Sequence, residues 1–265
     1  MSIPEIIYKK EDGIAIITIN RPETMNAMTT EMYNEFQRLV EVIQYDDDVK
    51  ALIITGEGRA FCAGSDVVQR LSARLKGQKI ESSRREKLEP VGYLSSVLSA
   101  CGKPIIAAIN GVAAGAGLSI SLLCDIRIAS EKARFGAGWV RVGLIPDLGS
   151  TYSLPRIIGS DRALEMFWTG DIIDAKEAEQ IGLVTRIVPH DELMDYCVNF
   201  AKKLANGPSM AIELIKRAVQ RSKENDLDTQ LDYESYALNI CRQTKDHKEG
   251  VTAYMEKRQP DFKGE

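Results

Sequence analysis

Apolar positions along this chain follow two periods, one of strands and one of helices. The opening run 6–19, IIYKKEDGIAIITI, holds two short β-branched stretches around Glu11-Asp12-Gly13, the pattern of a hairpin. Thr29 and Thr30 then precede a run from about Glu31 to Gln44. In it Met32, Phe36, Leu39, Val40 and Ile43 fall on one helical face. The run 51–56, ALIITG, is apolar throughout and predicts a buried strand; small residues then form a loop to Asp66. A helix is expected to restart at Val67, and the charged stretch 73–90 reads as a solvated insert. A helix over 91–101, a strand over 105–110, a loop over 111–117 and a helix over 118–124 follow. A strand at 125–130 and an edge segment at 133–136 close the strand-rich part. Beyond about 160 the pattern is helical, over 163–169, 175–181, 192–204, 209–222 and 227–255. The expectation is an α/β fold, with a core over 1–200 and a helical region over 201–265.

Bulk properties narrow the classes of function. The chain has 265 residues, long enough to bury a large core without metals or disulfides. A net charge of -4 gives no general attraction to nucleic acid or anionic membranes, so neither is expected as a partner. The stretch 105–124 carries no charge and approaches the length of a membrane span. Asn110-Gly111 and further glycines break it, which predicts a buried core element instead. The N-terminal residues lack the apolar core of a secretion signal, and a cytoplasmic location is expected. The five cysteines have no CxxC spacing and read as buried free thiols. Two histidines far apart, His190 and His247, give poor support to a metal site or a Ser-His-Asp triad.

Two small-residue loops carry the candidate chemistry: Phe61-Cys62-Ala63-Gly64-Ser65-Asp66 and Asn110-Gly111-Val112-Ala113-Ala114-Gly115-Ala116-Gly117. Each runs directly into a helical pattern. Small side chains admit a ligand close to the backbone, and a helix N-terminus offers unpaired N–H donors. Two such loops meeting at one oxygen would form an oxyanion hole; either loop alone is better explained by tight strand-to-helix packing. A dinucleotide fingerprint fails, because Ile120 stands where GxGxxG needs its third glycine.

Those loops, with Asn20-Arg21-Pro22, Asn26-Ala27, Cys124-Asp125, Phe135-Gly136, Gly143–Asp147, Gly182-Leu183-Val184 and Lys257–Phe262, resemble the signatures of the crotonase (enoyl-CoA hydratase/isomerase) superfamily. The resemblance covers essentially the whole chain. It implies a spiral of ββα units followed by a helical trimerisation region, and a homotrimer or homohexamer. It implies an acyl-CoA substrate, with coenzyme A arriving as part of that substrate and no separate cofactor. It assigns the N–H groups of Ser65 and Ala116, beside Gly115, to the thioester oxygen. It places CoA near Met25, Ala63, Asp66 and Val67, and near Lys257 and Phe262, in some relatives from a neighbouring subunit. Asp66 reads equally as a helix N-cap.

The resemblance also bears on the reaction. Hydratases similar to this chain use two glutamates, and those positions are Ser119 and Trp139 here. Asp147 is the carboxylate that fits, as in dienoyl-CoA isomerases and ring-1,2-epoxyphenylacetyl-CoA isomerases, the group this chain resembles most from Gly143 through Lys257. The expectation is a double-bond isomerase in which Asp147 shuttles one proton. Leu144, Ile145, Leu148 and Trp139 are expected to keep water from it. Trp139 with Asp147 also resembles 4-chlorobenzoyl-CoA dehalogenases, but residues 90–102 lack the histidine base of those enzymes. Hydration, thioester hydrolysis, or an inactive acyl-CoA-binding or RNA-binding relative remain the alternatives. The acyl-binding wall is expected from residues 70–100.

Overall fold

A computed structural model describes residues 4–66 and 90–265. Val67, the charged insert up to residue 89, and most of the expected acyl-binding wall lie outside the described residues.

The hairpin forms as read. β1 (Ile6–Glu11) and β2 (Ile14–Ile19) pair antiparallel around Asp12 and Gly13, both at positive φ, the geometry an Asp-Gly turn supplies. α1 (Thr30–Gln44) starts at Thr29, whose hydroxyl accepts the N–H of Met32 and so caps the helix. β3 (Ala51–Gly56), β5 (Ile105–Ile109), β7 (Ile126–Ser130) and β10 (Arg186–Val188) extend the sheet in parallel, in the order β1-β2-β3-β5-β7-β10.

Strand alternation explains the continuous apolar runs. Leu52, Ile54, Ala107 and Ile109 join one core, against α1, while Ala51, Ile53, Ile106 and Ala108 join a second. The central strands are therefore buried on both faces, as parallel strands usually are. The second face is covered by α7 (Leu193–Ala205), which contributes Leu193, Cys197 and Ala201 at four-residue spacing.

Between its long strands the chain detours through a smaller sheet of short ones, β4 (Ala60–Cys62), β6 (Val112–Ala114), β8 (Arg134–Gly136) and β9 (Ile172–Asp174). α2 (Pro90–Ala100) and α3 (Ala116–Leu123) complete the turns of strand, short strand and helix. This second sheet corrects the sequence reading. Parts of both small-residue loops are strands, and residues 134–136 are interior, paired with β6 on one side and β9 on the other. β9, β10 and α4 (Ser150–Ile158) also fall where strands or helices were not expected. Three-residue strands carry too little periodicity to be read.

α5 (Ser160–Thr169) and α6 (Ala175–Gln180) match the pattern closely. α8 (Ser209–Arg221) follows, and the long run 227–255 is two helices, α9 (Leu227–Arg242) and α10 (Lys245–Glu256). They part at Thr244, whose hydroxyl accepts the N–H of His247 and opens α10. The apolar stretch 105–124 divides into β5, β6 and α3, and no described helix is long and apolar enough to cross a membrane. All five cysteines are free; Cys62, Cys101, Cys124 and Cys197 are buried, and Cys241 is half-buried.

Candidate active site

The first loop is held by the turn before α1. Met28 forms an isolated parallel bridge with Ser65. Its N–H donates to the carbonyl of Gly64 at 2.8 Å, and its own carbonyl accepts the N–H of Asp66 at 2.9 Å. In a parallel bridge the residue between those two partners directs its own N–H to the opposite side. The Ser65 amide is thereby aimed away from Met28. Next to it, the Ala63 N–H is taken by the carbonyl of Met25 at 3.0 Å. Met25 and Asn26 sit in the left-handed region, which asparagine tolerates. The Asn26 side chain is fully buried and donates to the carbonyls of Glu57 and Ala60 at 2.9 and 2.7 Å. Asn110 donates to the same Ala60 carbonyl at 3.1 Å. Both motif asparagines are thus clamps on the approach to β4.

The second loop leaves β6 through Gly115, whose N–H donates to the carbonyl of Gly136 at 3.0 Å. Ala116 is the first residue of α3, so its N–H has no acceptor within the helix. The two loops touch. A Cβ at Gly64 would lie 3.3 Å from the Ala114 carbonyl oxygen and 3.7 Å from the Ala116 nitrogen. α3 itself rests directly on β4, since a Cβ at Gly117 would lie 1.9 Å from the carbonyl oxygen of Cys62. That approach demands glycine. Neighbouring Cys62 is no candidate nucleophile, because burial pushes its thiol up to about 12.

Asp147 reaches this region from the turn before α4. The indole Nε1 of Trp139 donates to its Oδ1 at 3.2 Å. Trp139 is buried in a 3-10 turn (Gly138–Val142) and meets Phe167 edge-on at 6.3 Å between ring centroids. Ser119, on α3, has its Oγ 3.3 Å from the Gly115 carbonyl oxygen and 3.5 Å from that of Asp147. A single hydroxyl therefore separates the peptide of Ala116 from the backbone of Asp147. The expected apolar screen is only half present. Leu148 and Trp139 are buried, but Leu144 and Ile145 are 58% and 78% exposed in the single chain. The chain leaves the 3-10 turn through Gly143 in the left-handed conformation, and the following residues run along the surface.

Asp66 pairs with Arg21 at 3.0 Å, both side chains mostly buried. Lys257 is exposed at the end of α10. Phe262 packs on Gly250 and lines a cavity of about 340 Å³ among the last three helices, with no residue of either loop in its wall. One contact of the site was not read from the sequence. The Tyr33 hydroxyl lies 2.9 Å from Ser65 Oγ, and Tyr33 is otherwise fully buried. Its signal was a polar tip on an otherwise apolar helix face.

The comparisons with known proteins agree with this architecture. The family model for enoyl-CoA hydratase/isomerase matches residues 9–265. A short-chain-enoyl-CoA hydratase of Clostridium acetobutylicum is 36% identical over 260 residues, 97% of each chain. A 1,2-epoxyphenylacetyl-CoA isomerase of Escherichia coli is likewise 36% identical, over 98% of each chain. The crystal structure of an enoyl-CoA hydratase from Bacillus anthracis superimposes with a TM-score of 0.91 at 34% identity, covering 99% of this chain and 100% of that one. The two layers of short and long strands wound with helices are the crotonase fold, and the chain belongs to the enoyl-CoA hydratase/isomerase family.

Proposed function

We propose that the protein shifts a carbon–carbon double bond in an acyl-CoA, taking a 3-enoyl-CoA or a ring-derived acyl-CoA to its conjugated isomer. The observation that carries this reading is the Asp147 carboxylate held by Trp139, beside a helix on which position 119 is serine. A proton shuttle needs one carboxylate, whereas the paired-glutamate route to hydration has neither acid here. In this reading the amides of Ser65 and Ala116 hold the thioester oxygen as it becomes an enolate, each donor contributing about 3 kcal/mol. Asp147 takes the proton at C2 and returns it at C4. The substrate's coenzyme A would run past Met25, Ala63 and Asp66.

Hydration is the second reading, favoured by the names of relatives such as the Clostridium acetobutylicum hydratase. Incubation with 3-enoyl-CoA, 2-enoyl-CoA and phenylacetyl-derived CoA esters, followed by mass, separates the cases. Isomerisation leaves the mass unchanged, hydration adds one water, hydrolysis releases free CoA, and a pure binder changes nothing.

A homotrimer, or a pair of trimers, is the assembly we favour. α8 buries no residue within the single chain, yet Ile215 and Val219 on it are largely exposed. Leu231, Leu238 and Val251 on the next two helices are exposed as well. Such a surface fits subunit contact. Lys257 and Phe262 would then meet CoA through a neighbouring subunit, and the assembly would act in the cytoplasm.

A further inference from the structure

Ser119 stands where the expected hydratase glutamate is missing, and its hydroxyl has partners of its own. Ser119 on α3 is fully buried, as is Ser150 at the start of α4, and their Oγ atoms are 2.7 Å apart. Each hydroxyl has one proton to give. Ser119 Oγ has two carbonyl oxygens in reach, Gly115 at 3.3 Å and Asp147 at 3.5 Å. For Ser150 Oγ, the partner among the described residues is Ser119. Both protons are used only when Ser150 donates to Ser119, and Ser119 donates onward to the two carbonyls. Burial favours that arrangement, because a buried hydroxyl without an acceptor is costly.

The onward direction matters because the Gly115 carbonyl belongs to the same peptide unit as the Ala116 N–H. That carbonyl also accepts the backbone N–H of Ser119 at 3.0 Å. The unit is planar, so fixing its carbonyl fixes the direction of its N–H. Hydrogen bonds to a carbonyl also draw density from the amide nitrogen and make the N–H a stronger donor. The Asp147 carbonyl, the other acceptor, also takes the Ser150 N–H at 2.9 Å. One hydroxyl pair thus ties the amide of α3 to the turn that carries the acid.

We infer that Ser119 is a positioning residue: relayed from Ser150, its hydroxyl aims and polarises the Gly115–Ala116 amide toward the thioester oxygen and holds that amide in register with Asp147. The inference rests on the two-amide grip proposed above, and not on the choice between isomerisation and hydration.

The test uses 4-(dimethylamino)cinnamoyl-CoA, a conjugated thioester whose absorption moves to the red as donors pull density onto its carbonyl oxygen. The wild-type protein saturated with this probe is expected to show a red shift. Ser119→Ala is expected to bind the probe within about threefold of wild type, give a clearly smaller shift, and lose roughly tenfold in kcat with KM nearly constant. Ser150→Ala should show a partial loss of both, and Ser119→Cys, a weaker donor of similar size, should fall between. The double variant should be no worse than Ser119→Ala, since the two hydroxyls act in series. A folded Ser119→Ala protein with the full shift, even one of lower melting temperature, overturns the inference and leaves the grip intact. If Ser119→Ala does not fold, full shifts in both Ser119→Cys and Ser150→Ala overturn it. A bound wild-type complex with no red shift overturns the grip and the inference together.

Discussion

Trp139 donates its indole N–H to Oδ1 of Asp147 at 3.2 Å, across a turn of eight residues. The ring is anchored in the core against Phe167, so a partly exposed carboxylate takes a hydrogen bond from a buried side chain. In the isomerisation proposed above, an acid that takes a proton from one carbon and returns it to another gains from a held direction.

Replacing Asp147 by Asn keeps the shape of the side chain and an oxygen for Trp139, but removes the base. Isomerisation of a 3-enoyl-CoA should fall by roughly 10²–10⁴-fold. Binding of the acyl-CoA, measured by calorimetry, should stay near wild type. Retained turnover would refute the role given to Asp147.

Trp139→Phe tests the orienting bond while keeping an aromatic ring near Phe167. Loss of one hydrogen bond to a charged acceptor predicts about a tenfold lower kcat, with KM little changed. A variant as fast as wild type would show that the indole only fills space.

Gly64→Ala probes the contact between the two loops. Gly64 has φ +120°, and the new Cβ would press on the Ala114 carbonyl oxygen. Strain of about 1–3 kcal/mol is expected, which a melting curve reads as a fall of several degrees. The turnover of the folded variant should fall further than its stability suggests, because the neighbouring Ser65 amide moves. Unchanged kcat/KM would detach this loop from the chemistry.

The C-terminal segment carries a pH prediction. Arg258 donates two hydrogen bonds to the Glu249 carboxylate at 2.6 and 2.9 Å, and the Asp261 N–H adds a third at 2.8 Å. Arg258 first and the Asp261 amide second hold this carboxyl down at about 2, below its ordinary 4.5. A depressed pKa means that the clip contributes fully above about pH 4.5 and is lost as pH falls toward 2. The Asp261 amide resonance, followed by NMR, should stay constant from pH 5 to 8 and move only below about pH 4.5. Glu249→Gln should remove that titration. An amide that moves near neutral pH instead would contradict the assignment.

Much of this was legible in the residues, and the exceptions share a cause. The run 51–56 and the helix 30–44 carry enough residues for their period to show, and both form nearly as read. β8, β9 and β10 have three residues each, too few to display alternation, and their pairing comes from strands far along the chain. Thr244 divides the last long helical run, a cap hidden inside a pattern that continues on both sides. In the site, the glycines and asparagines announced themselves by type and order. The Tyr33–Ser65 and Ser119–Ser150 contacts did not, because each joins residues about 30 positions apart through hydroxyls common in any sequence.

Sequence alone determined the family and the two small-residue loops and singled out Asp147 as the candidate acid, since these depend on residue type and order. Tertiary structure decided what those residues face. The Met28 bridge turns the Ser65 amide, the packing of Gly117 on β4 brings α3 against the first loop, and Trp139 donates to the Asp147 carboxylate. The physical reason is that a backbone N–H or a carboxyl oxygen has direction as well as identity. Its direction is set by contacts that lie far away along the chain.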